Sequence, residues 1–182
     1  MDLESLLAGC IENDRKAQEM LYQSIAPKMM TVCLRYADSQ YEAEEILQVG
    51  FIKLFNGIRT FAGKGSFEGW VRRIFVNTAI EMCRKKTSVK SVDAVDGEEQ
   101  VFLQSFDSDR VTIQELLDMI QELPAGYRLV FNMYSIEGFS HKEIADRLNI
   151  SEGASKSQLS RARARLQEKM KIIEREVDGI KS

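Results

Sequence analysis

The segment SHKEIADRLNISEGASKSQLSRARARL, residues 140–166, constrains the fold of this chain more than any other stretch. Ser140 and Glu143 have the spacing of a capping box, which starts a short helix with an apolar face. Asn149 tolerates the left-handed backbone of a tight turn, and Ser151 can cap the helix that follows. The segment therefore predicts a helix-turn-helix.

The second of these helices separates apolar side chains from polar ones. Its apolar stripe consists of Leu159, Ala162, Leu166 and Met170. The opposite face presents Ser157, Arg161, Ala164 and Arg165, with Gln158 and Ser160 beside it. A face that served only solubility would mix Glu with Lys, whereas residues 153–167 contain no acid. Arg and Gln can bond base edges, and Ser and Lys, including Lys156, can reach phosphates, so the pattern predicts DNA recognition.

Charge is segregated along the chain, although the net charge of its 182 residues is only −3. Residues 59–90 hold eight bases and two acids, and residues 156–171 hold six bases and one acid. Residues 91–125 hold nine acids and one base. Because charges interact over a Debye length of ~8 Å at physiological salt, a polyanion near a basic helix responds to that helix and not to the chain average.

Two prolines, eleven glycines and few alternating apolar runs indicate an all-α fold. The predicted helices span 2–8, 14–26, 28–37, 40–57, 66–86, 110–122, 125–137, 140–148 and 151–176, with Pro27 separating the second from the third. The stretch 87–109 has six acids, one lysine and no sustained helical period, which is typical of a linker. We therefore expect two small helical domains, 1–88 and 110–182, joined by an acidic linker at 89–109, with the helix-turn-helix in the second.

Residues 65–86 predict a second basic helix. Its core stripe is expected to be Val71, Ile74, Phe75, Thr78 and Met82, and its far side carries Arg73, Asn77, Ile80 and Arg84. Trp70 lies beside the arginines and follows the loop NGIRTFAGKGS, in which Ser66 can cap the helix. Aromatic side chains next to bases suit single-stranded nucleic acid, since stacking contributes ~1–3 kcal/mol per base and cations follow the backbone.

The helix predicted at 40–57 has two faces. One is expected to bury Leu47, Phe51, Leu54, Phe55 and Ile58, and the other presents Glu45, Gln48, Val49 and Ile52. Apolar side chains on a second stripe indicate a surface for another protein. Packing inside its own domain is the alternative explanation of this stripe.

The residues that usually support catalysis or metal binding are sparse. Cys10, Cys33 and Cys83 lie far apart, and we expect them to be reduced core residues. His141 is the only histidine, and we interpret it as an exposed first-turn residue. We therefore expect no metal, no cofactor and no enzymatic activity. No stretch approaches the ~18 apolar residues of a membrane span, and the first residues are acidic where a secretory signal is basic, which predicts a cytoplasmic protein without membrane insertion.

Three stretches together carry a resemblance to a known family. They are AEEILQVGFIKLF, FAGKGSFEGWVRRIFVNTAIEMCRK and LPAGYRLVFNMYSIEGFSHKEIADRLNISEGASKSQLSRAR. The chain resembles sigma factors of the sigma-70 family, in their short extracytoplasmic-function group, over nearly all of its length. The first stretch is similar to the polymerase-binding helix, the second to the loop and helix that open and read the minus-ten element, and the third to the domain that reads the minus-thirty-five element.

The resemblance implies a promoter-specificity subunit that binds core RNA polymerase and directs transcription initiation. Its first domain would dock on the β′ clamp helices through Glu45, Gln48, Val49 and Ile52, and its second on the β flap. Minus-ten DNA would meet Phe61, Lys64, Ser66, Trp70, Arg73, Asn77 and Arg84, with the loop holding a flipped base. Minus-thirty-five DNA would meet Lys156, Ser157, Gln158, Ser160, Arg161 and Arg165. The linker would thread the polymerase channel, and the family also implies an anti-sigma factor as a partner, which these residues neither require nor exclude.

The chain departs from the family pattern at two positions. Val49 stands where the family usually has Glu after the Gln of the clamp helix, and Ser155 stands where many members have an apolar residue. Longer sigma factors have a further domain between the domain that reads the minus-ten element and the one that reads the minus-thirty-five element. This sequence has no counterpart of it, so extended minus-ten recognition is not expected.

Two other function classes are left open by the residues alone. A repressor or activator that used only the helix-turn-helix would leave the basic face of 65–86 and the second stripe of 40–57 unexplained. An enzyme acting on nucleic acid would lack a glycine-rich phosphate loop and clustered carboxylates. A dimer in solution without polymerase would favour the first of these alternatives.

Overall fold

The computed structural model describes residues 2–87 and 112–180. Within these ranges every regular element is a helix, so the predicted all-α fold is confirmed. The chain divides into two compact units, Met1–Cys83 and Arg84–Ser182. The linker expected at 89–109 lies outside the described residues, and the domain limits stay a prediction. Among the helices of the described ranges, none is long and apolar enough to cross a membrane.

The first unit is built from helices joined by short loops. The helices are α1 (Leu3–Ile11), α2 (Arg15–Tyr36), α3 (Gln40–Gly57) and α4 (Phe67–Thr87), whose last four residues extend past the unit's limit at Cys83, with a 3₁₀ turn at Ile58–Thr60 after α3. Side-chain oxygens of Asp2, Asp14 and Ser39 accept backbone N–H bonds at the starts of α1, α2 and α3. Each cap satisfies an N–H group that the first turn of a helix leaves without an intrahelical acceptor.

The break predicted at Pro27 is wrong, because α2 runs through the proline. A proline inside a helix removes one hydrogen bond and costs ~3 kcal/mol or more. Leu21 is buried before Pro27, and Met29 and Val32 are buried after it. Burial of one continuous apolar face on both sides of the proline offsets the local cost, since most helix stability in proteins comes from tertiary packing.

Helices α3 and α4 approach each other closely at Gly50. A Cβ atom on Gly50 would lie 2.4 Å from the Phe75 ring, far inside a normal contact. Phe75 is fully buried, and its ring meets that of Phe51 edge-on with the centroids 5.2 Å apart. This contact fixes the rotation of α4 against α3, because a close-packed interior leaves little room for adjustment.

The second unit carries the helix-turn-helix. Its helices are α5 (Ile113–Gln121), α6 (Ala125–Phe131), α7 (His141–Leu148) and α8 (Glu152–Ile180). Helix α6 continues as a π-helical turn over Asn132–Ile136, so the helix predicted at 125–137 exists but changes its hydrogen-bond pattern. Apart from Pro27, the helix limits predicted from the sequence agree with the observed ones to within a few residues.

Arg128 of α6 is buried and caps the preceding helix. Its Nη1 donates to the backbone carbonyl oxygens of Gln121, at 2.6 Å, and Leu123, at 3.1 Å. Burial lowers the pKa of the Arg128 guanidinium to about 10, which still leaves it charged at neutral pH. The last carbonyls of a helix lack intrahelical donors and attract cations, so this side chain ties the end of α5 to α6.

Candidate nucleic-acid and protein interfaces

The predicted helix-turn-helix is present as α7 and α8. Ser140 Oγ accepts the Glu143 N–H at 3.3 Å, and a Glu143 carboxylate oxygen accepts the Ser140 N–H at 2.9 Å, which completes the capping box. The bond from the Ser140 backbone, helped by the Ser140 hydroxyl, holds the pKa of the Glu143 carboxyl below its usual value. Asn149 ends α7 with φ 57° and ψ 49°, the left-handed conformation expected of it. Ser151 Oγ accepts the Ala154 N–H at 3.0 Å and caps α8.

The two faces of α8 lie largely as the sequence predicts. Leu159, Ala162 and Leu166 are buried, and Met170 is half-buried. On the other side Lys156, Ser160, Ala164 and Arg165 are exposed, whereas Ser157 and Arg161 are half-buried. This face offers hydroxyl, ammonium and guanidinium donors and, between 153 and 167, no carboxylate. Such a set of donors can bond both phosphates and base edges.

Two arginines of this face lie against Tyr127 of α6. Arg161 Nη1 donates to the Tyr127 hydroxyl oxygen at 3.4 Å, and the guanidinium carbon of Arg165 lies 5.8 Å from the centre of the same ring. A cation within about 6 Å of an aromatic ring is attracted to its π face. Tyr127 therefore restricts the orientations of both arginines. No local pattern in α6 connects Tyr127 with α8, so the sequence did not reveal this contact.

Gln158 does not lie on the exposed face. Gln158 is only 9% exposed. Its side chain packs closely on α6, since a Cβ atom added to Gly126 would lie 3.1 Å from the Gln158 Oε1. The position precedes the buried Leu159 and lies one turn before the buried Ala162, so it turns towards α6. The expectation that Gln158 lies beside the exposed face, where its amide could meet DNA, was therefore wrong in its placement.

His141 is not the exposed first-turn residue that we expected. It is half-buried, and its Nδ1 lies 2.9 Å from the Ser155 Oγ. Its ring stacks on Tyr134 with centroids 4.4 Å apart and an angle of 23° between the planes. Both partners come from other elements, the π-helical turn and α8, which is why a reading of α7 by itself missed them.

The loop before α4 and the first turn of α4 together carry a cluster of three aromatic rings. The Phe61 centroid lies 5.2 Å from that of Phe67 and 5.4 Å from that of Trp70, and Phe67 and Trp70 are 5.8 Å apart. Phe67 is buried, whereas Phe61 and Trp70 are half-buried. Part of the Trp70 ring system is thus accessible while its neighbours hold it in place, which suits a stacking platform.

The backbone of the loop is shaped by two glycines and a cap. Gly63 and Gly65 have φ values of 70° and 85°, a region that other residues rarely adopt. Ser66 Oγ accepts the Gly69 N–H at 3.1 Å, so the predicted cap of α4 is confirmed. Lys64 and Ser66 are exposed, and both lie in the loop between Phe61 and Phe67.

The exposed side of α4 is basic, as predicted, but it covers less of the helix than the predicted far side. Arg73, Asn77 and Arg84 are exposed, whereas Ile80 is only 4% exposed, so its placement on the far side was wrong. Helix α4 packs against both α2 and α3, because Cys83 Sγ reaches the Tyr36 carbonyl oxygen at 3.5 Å and Phe75 meets α3. A helix between two neighbours buries more of its circumference than a single stripe.

The second stripe of α3 is accessible. Ile52 is 60% exposed, Glu45 and Gln48 are exposed, and Val49 is half-buried. A large apolar side chain with that exposure on an ordered helix contributes little to its own core. In the first unit, then, packing inside the domain does not account for this stripe.

These features define a class of protein: a helical, bipartite DNA-binding protein with a helix-turn-helix in one unit and a basic aromatic surface in the other. Residues 21–89 match the family model described as sigma-70 region 2, and residues 113–166 match the one described as sigma-70 region 4. The chain belongs to the sigma-70 family and, within it, to the extracytoplasmic-function (ECF) group.

Relatives and solved structures are similar over much of this chain. The ECF RNA polymerase sigma factor SigW of Bacillus subtilis is 29% identical over 187 residues, which cover 94% of this chain and 100% of SigW. The ECF RNA polymerase sigma factor SigE of Mycolicibacterium smegmatis is 27% identical over 154 residues, 81% of this chain but only 59% of that longer protein. The sigma factor RpoE of Bartonella quintana, solved with the anti-sigma factor NepR, has a TM-score of 0.47 and 21% identity, covering 85% of this chain and 96% of that chain. By its family, the chain is a promoter-specificity subunit of RNA polymerase.

Proposed function

We propose that this sigma factor reads promoters with two surfaces, each weak alone, and docks on core RNA polymerase with a third. The observation that carries the proposal is the outer face of α8, where Lys156, Ser160 and Arg165 are exposed and residues 153–167 contain no acid. This face would read the minus-thirty-five element in the major groove, with Arg161 and Arg165 contacting bases or phosphates and Lys156, Ser157 and Ser160 supporting them. Gln158 supports this surface from below, against α6.

The minus-ten surface is proposed to combine the loop and the outer side of α4. Phe61 and Trp70 offer accessible aromatic area for an unstacked base, and Lys64 and Ser66 lie in the same loop. Arg73, Asn77 and Arg84 would follow the backbone of the opened strand along α4. The support for this assignment is the coincidence of stacking rings and cations on one side of the helix.

Docking on the β′ clamp helices is proposed for the second stripe of α3. Ile52 and Val49 would be covered by the partner, and Glu45 and Gln48 would make polar contacts around them. Val49 is an apolar residue where the family usually has Glu, so this chain would rely more on apolar contact at that position. The second unit would contact the β flap.

The whole chain is proposed to act as domains 1–88 and 110–182 tethered by an acidic linker at 89–109 that runs in the polymerase channel. Simultaneous docking raises the effective concentration of each DNA-binding surface at the promoter, so neither needs high affinity alone. We place this activity in the cytoplasm, without catalysis by the chain itself. An anti-sigma factor would be a further partner that covers one of these surfaces. Sigma factors with which this chain was compared have been solved in complex with such a factor.

Run-off transcription with bacterial core polymerase on a library of genomic fragments tests the proposal. Core polymerase with this chain should start at sites that share two sequence elements at fixed spacing, and core polymerase alone should not. Initiation that does not depend on the chain, or start sites without a shared upstream element, would contradict it.

A further inference from the structure

We propose that His141 is a positioning residue that sets the orientation of α8 for sequence reading, through its hydrogen bond to Ser155. The inference rests on the proposed reading of the minus-thirty-five element by α8. His141 is the first residue of α7, and Ser155 lies in the first turns of α8, so the bond joins the two helices of the helix-turn-helix directly.

Ser155 is a polar residue in a fully buried position. Its exposure is 0%, and the His141 Nδ1 lies 2.9 Å from its hydroxyl oxygen. A buried hydroxyl that loses its partner is unfavourable, so the bond has a strong reason to persist. Ser155 is followed directly by Lys156 and Ser157, which means that any shift at Ser155 moves the face proposed to touch DNA.

The imidazole that makes this bond is itself held in place. Its ring stacks on Tyr134 at 4.4 Å, and the guanidinium carbon of Arg163, farther along α8, lies 5.6 Å from the same tyrosine ring. Stacking restrains the plane of the imidazole, which limits Nδ1 to two directions related by a ring flip, and the bond to Ser155 selects one of them. Tyr134 and His141 therefore contact α8 at two levels, around Ser155 and around Arg163.

A hydrogen bond differs in kind from the apolar contacts of α8. Leu159 and Leu166 resist separation of α8 from the core, but apolar contact is non-directional and tolerates small rotations. The His141–Ser155 bond has a preferred distance and angle, and so it selects one rotation of the helix. Small rotations matter because bidentate contacts to a base edge depend on geometry.

The test is a matched pair of substitutions, His141→Asn and His141→Gln, in the full chain. The Asn side chain places a polar atom where Nδ1 lies, and the Gln side chain reaches instead towards the Nε2 position. Both lose the aromatic stack on Tyr134, so they differ mainly in the bond to Ser155. Ser155→Ala removes the other partner of the bond.

The readout is selection by transcription from a promoter library randomised in the minus-thirty-five element, with bacterial core polymerase and the full chain, beside thermal melts of each variant. We expect His141→Asn to keep the sequence preference of the wild type. His141→Gln and Ser155→Ala should each lower that preference about two- to tenfold, the factor that corresponds to one hydrogen bond. The double variant, His141→Gln with Ser155→Ala, should lose no more than either single variant, because both substitutions remove the same bond.

The inference is overturned if His141→Gln or Ser155→Ala keeps the wild-type preference, or if His141→Asn loses as much as His141→Gln. It is also overturned if the losses follow the melting temperatures, since the residues would then be merely structural. A wild-type chain that supports transcription but enriches no minus-thirty-five sequence would instead refute the proposed reading by α8, on which the inference depends.

Discussion

Arg161 and Lys156 lie on the same helix, but their side chains have different surroundings. Arg161 is half-buried, and its Nη1 lies 3.4 Å from the Tyr127 hydroxyl oxygen, which restricts the orientations of its guanidinium. Lys156 is exposed near the start of α8. A restrained planar guanidinium suits a base edge, and an exposed ammonium suits a phosphate.

We predict that Arg161→Ala weakens promoters in a sequence-dependent way, with a loss of about 1–3 kcal/mol confined to particular base pairs. Lys156→Ala should weaken all promoters alike and reduce the salt dependence of binding by about one unit of slope. Binding of the reconstituted polymerase to a promoter panel at several salt concentrations measures both. Equal profiles for the two variants would contradict the assignment of roles.

Trp70 and Asn77 are predicted to act in strand opening. Trp70→Ala removes the half-buried ring beside Phe61, and Asn77→Ala removes an exposed amide from α4. Both variants should bind core polymerase normally but form fewer open complexes, which permanganate reactivity of unpaired thymines measures, and the loss for Trp70 should correspond to about 1–3 kcal/mol of stacking. A Trp70→Ala variant that unfolds the first unit in a thermal melt would show that the ring is core.

Single residues also show what the sequence could predict. The stripe of Leu159, Ala162 and Leu166 was predicted correctly, because helical periodicity reports the centre of a buried face. Gln158 and Ile80 were misplaced, because they lie at the edges of faces whose width depends on which helices pack alongside. Burial at such positions is a property of the tertiary arrangement, and no local pattern contains it.

At the scale of elements, capping chemistry was the most reliable sequence signal. The capping box at Ser140 and the cap at Ser66 both appear where the pattern predicts them, since capping depends only on residues within one turn. Pro27 is the counterexample, because apolar burial along the rest of α2 outweighs a strong local preference. The partners of His141 and Arg161 lie on other helices, so no pattern within one helix could predict these contacts.

The Glu143 box makes the second unit sensitive to acid in a defined direction. Hydrogen bonds from Ser140 hold the pKa of the Glu143 carboxyl below its ordinary value of 4.5, so the stabilisation is present above that pH and is lost as the pH falls through the lowered pKa. Glu143→Gln keeps the shape of the box but cannot titrate. In thermal melts, the wild type should have a higher melting temperature than Glu143→Gln at neutral pH, and this difference should disappear in acid. A difference that stays constant down to about pH 3 would contradict this effect.

The outer stripe of α3 is predicted to be the docking surface for core polymerase. Val49→Glu with Ile52→Glu should abolish co-purification with core polymerase, because two carboxylates would be buried against the partner without pairing, at a cost of several kcal/mol. The chain should still fold, since Ile52 is 60% exposed and Val49 is only half-buried, and a thermal melt of the double variant checks this. Met20→Glu, on α2 and 44% exposed, is a matched control that should still co-purify. Normal co-purification of the double variant would refute the assignment.

At the scale of the whole molecule, the proposed function depends on tethering. The two compact units each carry a modest basic surface in a chain with a net charge of only −3, so neither unit is built for strong non-specific attraction to DNA. Fixing both on one polymerase converts the second contact into an intramolecular one. The family follows from the sequence motifs, whereas the proposed cooperation between the surfaces would be a property of the assembly.

The most direct measurement compares binding of one selected promoter by the free chain and by the chain bound to core polymerase. We predict that the free chain binds with a Kd of about micromolar or weaker and little sequence preference, and that the polymerase complex binds about two to four orders of magnitude more tightly and specifically, because tethering supplies the missing affinity. Nanomolar, sequence-specific binding by the free chain would contradict the account and identify a conventional regulator that acts through its helix-turn-helix alone.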